Sequence, residues 1–521
     1  MILLTITSLP YLYGAWLSSP ERSFSGFVIG LEDGNSYLAK MNLGRSGYWL
    51  FRLVYTPEPH QGALFFLYYL LLGKVAGLTG LSNVLVLHLS RLFTIPFGLL
   101  AFYYFAAYFT PPVFPVSDNQ PVRQRQLASL IFGFTGGLGW LWLIMGGSAQ
   151  LGQMPVDLWV PDASFFLSAL TYPHLPLAQG LLLILVVSGL EFVENGRLRP
   201  GLAAAACGLA VSLIHPHTLP VIGLIFGLYI LRENYPQPSS LIRKMARLLL
   251  ITAPSTPYLV YVLVVFTRNP AFVAWRVQSL TFSPAPVHYL LGFGLTLALA
   301  IPGLKLTWTL TTPQNRFLQV WLLSVPFLVY LPLALQRRFL DGYQAPLAIL
   351  AATGLLWLLE KFARPGWNKA GLGLSLVVMS LTNLLLVVGA LVTVARQPYP
   401  VFIPTDQVKA GRWLAQQSPQ AVVLAWYTTG NYLPTVADVR SFVGHGPETI
   451  NSAAKQQQVN TFFNPTTNDA WRLELLRRFK VRYLFYGPAE QALGEFNPES
   501  VPYLVKRYEN DSVQIFEVDL K

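Results

Sequence analysis

Charge is what this chain has least of. Lys, Arg, Asp and Glu make up 12% of its 521 residues, about half the roughly 25% of an average soluble protein. So sparse a charged surface argues against a soluble multidomain enzyme. The single cysteine, Cys207, lies in the apolar run Ala203–Gly208. A lone thiol there excludes a disulfide framework and a cysteine-based metal centre, and reads as a small core residue. No glycine-rich phosphate loop follows a strand-like segment, so no nucleotide is assigned. Internal repeats and low-complexity segments are also missing. No basic stretch precedes the apolar run Ile2–Trp16, which therefore reads as a short first membrane helix and not as a secretory signal. Its roughly 16 residues are marginal for a span and fit a clipped start.

What is there is hydrophobicity, at 53% of residues. Residues 1–396 hold 24 Lys and Arg against 12 Asp and Glu, whereas residues 397–521 hold 12 of each. The chain thus reads as a membrane part, 1–396, followed by a soluble neutral domain, 397–521. The net charge of +12 falls wholly in the membrane part. It reflects basic loops between apolar spans and gives no reason to invoke nucleic acid.

Apolar runs of spanning length recur near 83–110, 126–147, 176–193, 246–267, 287–304, 316–334, 343–361 and 371–395. The stretch 200–232 splits at His215-Pro216-His217-Thr218-Leu219-Pro220 into a hairpin of spans 200–214 and 217–232. With the first helix this predicts about eleven spans. Thirteen Lys and Arg residues, among them Arg123, Arg197, Arg243, Lys305 and Arg364, lie in alternate loops that should face the cytoplasm. The run 63–79 decides the sidedness of the rest. If it lies along the outer leaflet, 18–80 is one large outer loop and the tail is extracytoplasmic; if it crosses, the loop 18–60 lies inside. Lys74 within it favours the interfacial helix.

The tail alternates helical spacing, at Thr405–Gln417 and Asp469–Phe479, with strand-like runs at Ala421–Trp426, Val481–Phe485 and Val513–Val518. That pattern predicts a small α/β domain.

Several constellations bear chemistry. In the first loop Glu32 and Asp33 precede an amphipathic stretch, and in a helix starting near Asp33 residues 33, 37 and 40 share a face. Asp33, Tyr37 and Lys40 would then look the same way across the membrane surface. A carboxylate there can take the proton of an acceptor hydroxyl, or simply cap a helix. Arg52, His60 and Lys74 suit a lipid phosphate, or serve as interfacial anchors. In the second outer loop, Trp159, Phe165 and Tyr172 would wall a sugar ring, with Asp157 or Asp162 on its hydroxyls and His174 orienting a carboxylate. An aromatic belt with capping acids is the plainer reading. Arg337 and Arg338 sit on a loop placed outside, against the insertion bias, where they would grip phosphate or pair with Asp341 or an acid of the tail. His215 and His217 lack a third ligand nearby in sequence and read as a polar hairpin tip, not a metal site. Arg91, deep in a span, needs a polar partner.

A short first span, a large first outer loop bearing Glu32-Asp33 and Tyr37, the Pro57–Gly80 stretch before Arg91-Leu92, an acidic second outer loop and Arg337-Arg338 together resemble the GT-C glycosyltransferases. The likeness is to the bacterial branch akin to protein O-mannosyltransferases and the aminoarabinose transferase. The tail segments Tyr486–Glu490 and Arg507–Phe516 are similar to C-terminal domains of bacterial members. The resemblance implies a catalytic base in the first loop, best matched by Asp33, and a sugar donor on a polyprenyl phosphate. The usual acid pair is Asp-Glu and not Glu32-Asp33, and the usual Lys-Pro-Pro is replaced by Pro57-Glu-Pro-His60. Arg52, His60 and the Arg337/Arg338 pair are therefore competing phosphate ligands.

The expectation is a polytopic helical membrane protein of GT-C type, with a large first outer loop bearing juxtamembrane helices and a small α/β domain. It would sit multi-pass in the cytoplasmic membrane of the cell envelope. It would transfer a sugar from a polyprenyl-phosphate donor to an acceptor hydroxyl on the extracytoplasmic face, with inversion. Asp33 would be the base, with Glu32 beside it. No cofactor is assigned, a divalent metal being left open, and the acceptor is not readable. A non-catalytic assembly subunit would use the same spans, whereas a transporter should show more charged mid-span sites.

Overall fold

The computed structural model describes residues 1–110, 120–235, 237–362 and 368–520; Arg364 and residues 111–119, the start of the loop that carries Arg123, lie outside them. The chain is a polytopic α-helical membrane protein with a small C-terminal sheet. Among the described residues, seven helical runs are long and apolar enough to cross a membrane: Asn83–Phe109, Pro121–Ile144, His174–Asn195, Pro238–Arg268, Pro286–Thr307, Gln344–Phe362 and Lys369–Arg396. The expected hairpin forms as Leu198–Ile214 and Thr218–Asn234, 17 residues each. These arms, the 15-residue Ile2–Trp16 and the 16-residue Pro313–Leu328 fall short of a full apolar span.

The residues form two compact units, each discontinuous in sequence. The first comprises 1–9, 90–261 and 281–389, and the second 10–89, 262–280 and 390–521.

In the first unit the expected span 126–147 is broken. Helix Gln120–Phe134 stops, and a short helix, Gly139–Ile144, resumes after four residues. Backbone groups freed at such a break must find partners where water is scarce. The carboxylate of Asp157 accepts the N–H of Gly137 (2.8 Å) and of Gly139 (3.2 Å). Thr382 accepts from Trp140 N at 3.1 Å, and Asn383 donates to Phe134 O at 2.7 Å. Gly137 itself is required, because a Cβ there would meet Gly292 O at 2.2 Å. Arg91 is buried in this unit and donates to Thr7 O and Ala169 O, both at 2.8 Å. Its guanidinium thus satisfies two backbone carbonyls.

In the second unit Leu31–Arg45 lies against Leu67–Thr79 at very close range. Gly44 and Gly73 permit this: a Cβ on Gly73 would lie 1.8 Å from Met41 O, and one on Gly44 2.1 Å from Leu70 O. Lys74 turns back, its Nζ 3.2 Å from Gly47 O and 4.0 Å from the Trp49 ring centre.

The tail is a five-stranded sheet. In chain order the strands of this unit are β1 Arg22–Phe24, β2 Phe402–Pro404, β3 Ala421–Leu424, β4 Val439–Ser441, β5 Val481–Tyr486, β6 Leu504–Glu509 and β7 Gln514–Val518. β1 and β2 pair antiparallel, while the main sheet runs β4-β3-β5-β7-β6. β4, β3 and β5 are parallel and β7 and β6 antiparallel to their neighbours. Along β5 Leu484 faces one core and Tyr483 and Phe485 the other, while Val481, before a register shift in the pairing with β3, joins the core of Leu484. Both faces are thereby covered, as an α/β layer requires.

Candidate active site

Gly30, in the left-handed region at φ 64°, turns the chain into the helix Leu31–Arg45 and places Glu32 and Asp33 in its first turn. Unpaired N–H groups there favour carboxylates. Most of the rest of the helix is buried, including Asn35, Ser36 and Lys40. Lys40 therefore does not look out with Asp33 and Tyr37 as the helical wheel implied: its side chain is 1% exposed. A buried ammonium demands a counter-charge, and Glu448 supplies it at 2.7 Å. The same oxygen accepts the Ser36 hydroxyl at 2.7 Å, while Lys40 also donates to Ser36. Burial pushes the Lys40 amine below its free value, against the pull of Glu448. Burial alone would raise Glu448, but Lys40 and His445 hold it below the usual carboxylate value.

Glu448 and His445 come from the loop after β4. Gly444 lies on Gly430, where a Cβ would meet the backbone at 2.5 Å, and the Thr449 hydroxyl accepts the N–H of Gly444 and His445, each at 3.3 Å. This fixes the imidazole between two acids. His445 Nε2 lies 3.1 Å from Asp33 Oδ1, and Nδ1 lies 3.8 Å from Glu448 Oε1. Burial disfavours its charged form, but Glu448 and the bond to Asp33 outweigh that and raise its pKa above 6.5. Charge thus alternates from Lys40 through Glu448 and His445 to Asp33, whose side chain is 58% exposed. The chain of groups runs from the interior to a solvent-reachable carboxylate.

Glu32 is held differently. Its carboxylate accepts the Tyr427 hydroxyl and, at 2.8 Å, the N–H of Gly446. Tyr55, buried, donates to Asn431 O at 3.1 Å with its ring 5.6 Å from that of His445. Tyr37 stacks on Tyr69 at 4.4 Å. Arg52 lies over the Tyr48 ring at 5.3 Å. His60 spends both nitrogens on its own loop, Nε2 accepting from Leu53 N at 2.9 Å and Nδ1 lying 2.8 Å from Glu58 O.

In the first unit the expected sugar wall does not form. Phe165 and Tyr172 are core residues, and Phe165 packs on Phe132 at 4.7 Å. Asp157 is buried at the helix break, and that burial pushes its carboxyl up to about 6. Asp162 is also buried and takes Arg338 Nη1 at 3.2 Å on both oxygens. The acid that Arg338 grips is thus Asp162, a residue of the second outer loop. Arg337 lies over the half-buried Trp159 at 4.5 Å. Buried His174 packs edge-on to His215 at 5.2 Å. Asp341 accepts from Thr218 at 2.6 Å and lies 2.9 Å from His215 Nδ1.

His445, Glu448 and Tyr427 escape sequence reading. The only signal is Gly444-His445-Gly446-Pro447-Glu448, an imidazole between glycines with an acid three residues on.

No protein-family model and no curated protein matches the chain. Solved structures do. ArnT from Cupriavidus metallidurans bound to undecaprenyl phosphate superposes with a TM-score of 0.52 at 13% identity, covering 99% of this chain and 96% of that one. The chain shares the fold of that structure. Arabinofuranosyltransferase AftD from Mycobacteria matches 99% of this chain and 41% of its own, with a TM-score of 0.53 and 16% identity. The oligosaccharyltransferase AglB from Archaeoglobus fulgidus, in complex with an inhibitory peptide and a dolichol-phosphate, matches at 0.51 and 13%, covering 93% and 69%. At such identities the GT-C likeness is one of fold, and the chemistry must be argued from the residues.

Proposed function

We propose that the chain is an integral-membrane glycosyltransferase that moves a sugar from a polyprenyl-phosphate donor to an acceptor hydroxyl on the extracytoplasmic face. The observation that carries this reading is the exposed Asp33 carboxylate at the end of a buried line of alternating charge. Support for the donor class comes from ArnT and AglB, which share the fold and were captured with undecaprenyl phosphate and dolichol-phosphate.

Asp33 takes the proton of the acceptor hydroxyl as its oxygen attacks the anomeric carbon, on the face opposite the phosphate. The new C–O bond forms, the bond to the phosphate oxygen breaks, and the configuration inverts. His445, 3.1 Å from Asp33, orients it and is a positioning residue. Glu32, tied to Tyr427 and Gly446, fixes the His445 loop to the helix start. Arg52, over the Tyr48 ring in the same unit as Asp33, is the proposed ligand of the leaving phosphate. Lipid anchoring of the donor replaces diffusion by proximity.

The test is a donor comparison. Purified protein should transfer label from a polyprenyl-phosphate sugar and release the polyprenyl phosphate, and should leave the matching nucleotide sugar untouched. Transfer from the nucleotide sugar alone would overturn the reading.

The His445 contact has its own consequence. With its pKa raised above 6.5, the imidazolium persists to higher pH than free imidazole, and Asp33 loses its charged partner as pH rises through that value. The wild type should therefore show an alkaline limb in transfer rate above pH 6.5. His445→Gln should lower kcat on the order of 100-fold by misplacing the base and abolish that limb. Superimposable pH profiles for the two proteins would refute the positioning role.

A further inference from the structure

We propose that His215, His217 and Asp341 form a binding site for a zinc-class divalent cation. Pro216 and Pro220 fold the tip between helices Leu198–Ile214 and Thr218–Asn234 so that both imidazoles turn the same way, and Asp341 arrives from a loop 126 residues beyond His215. One ligand atom from each residue lies within 4.8 Å of the others. Asp341 Oδ2 is 2.9 Å from His215 Nδ1 and 3.4 Å from His217 Nε2. Those separations bracket the roughly 3.3 Å edge of a tetrahedron whose metal bonds are about 2.0–2.1 Å.

Two observations separate this cluster from a plain hydrogen-bonded turn. Asp341 Oδ1 and His217 Nε2 are both buried with no hydrogen-bond partner, and buried polar atoms are rarely left so. A cation held by His215 Nδ1, His217 Nε2 and Asp341 Oδ2 gives His217 Nε2 a partner, and a carboxylate that binds it through both oxygens gives Oδ1 one as well. The Thr218 hydroxyl, 2.6 Å from Asp341 Oδ2, also orients the carboxylate from behind, as outer partners of metal ligands do.

The donor set selects the metal. Two neutral imidazoles and one carboxylate suit Zn²⁺ or Co²⁺, whereas Mg²⁺ and Ca²⁺ prefer all-oxygen shells. Three protein ligands leave a fourth position for water or another oxygen ligand, the composition of an open zinc site.

The test uses full-length protein in detergent, carrying an affinity tag without histidine and stripped with a chelator. After dialysis against Zn²⁺ it should retain about one equivalent, and Co²⁺ should give the intense visible bands of a four-coordinate site. His217→Ala and Asp341→Asn should each weaken binding at least about 100-fold, while His174→Ala keeps the Co²⁺ spectrum. If a variant fails to fold, the wild type still decides, because Zn²⁺ must raise its thermal midpoint in proportion to binding. Zinc retained below a tenth of an equivalent, or unchanged in the ligand variants, would overturn the site and leave a metal-free His–Asp–His turn.

Discussion

Glu448→Ala is expected to destabilise the second unit by about 3–5 kcal/mol, because it strands a buried ammonium. Lys40 is 1% exposed, and the carboxylate that faces it is Glu448 at 2.7 Å. Desolvation already lowers its pKa from 10.5, so without Glu448 the amine folds most readily in its neutral form. The sign follows. The unfolded chain then binds more protons than the native one at pH values below 10.5, and the variant should regain stability as pH rises towards that value. Adding Lys40→Met to Glu448→Ala should restore most of the loss, since replacing both charges by apolar groups is close to neutral. Thermal midpoints of the four proteins, read by tryptophan fluorescence in detergent, complete the cycle. A single variant within about 0.5 kcal/mol of wild type would show that Lys40 finds another partner, and the alternating line of charge would lose its inner end.

The membrane helices were legible because spanning runs are long and apolar, and the His215-Pro216-His217 hairpin because two prolines end helices. The break at Thr135–Leu138 was not. Its one local signal is the Gly136-Gly137 pair, and glycine is common inside membrane helices; the tertiary arrival of Asp157, Thr382 and Asn383 is what holds the backbone open there. In the tail β3, β5 and β7 show apolar runs, but β4 is three residues long and β6, LVKRYE, is an edge strand full of charge. Charge on an edge protects against mispairing and erases the alternation that reveals a strand.

Asp33 stands out in the sequence as a candidate because two acids open a helix in a loop placed at the membrane surface. The residues that hold it could not. His445 is 412 positions from Asp33 and Glu448 408 from Lys40, and no local periodicity links them. A lysine one helical face from an acid reads as solvated, so its burial becomes visible only with its partner. The same holds for Arg338, whose acid lies 176 positions away at Asp162. Asp157 and Asp162 both looked like sugar ligands, yet one caps a helix break and the other neutralises an arginine.

Asp33→Asn is the substitution with the largest expected effect on transfer. Asparagine keeps the shape of the side chain and a carbonyl oxygen for His445, 3.1 Å away in the wild type, so the fold and donor binding should be preserved. It cannot accept the acceptor's proton. A positioned base contributes about 10²–10⁴-fold, and kcat should fall by that factor with KM for the lipid donor little changed. The measurement to make is the initial rate of label transfer from a polyprenyl-phosphate sugar by wild type and Asp33→Asn, with both proteins shown to share one thermal midpoint. Loss of transfer by at least about 100-fold with the midpoint unchanged is the expected result. Transfer by Asp33→Asn within about threefold of wild type would remove Asp33 as the base.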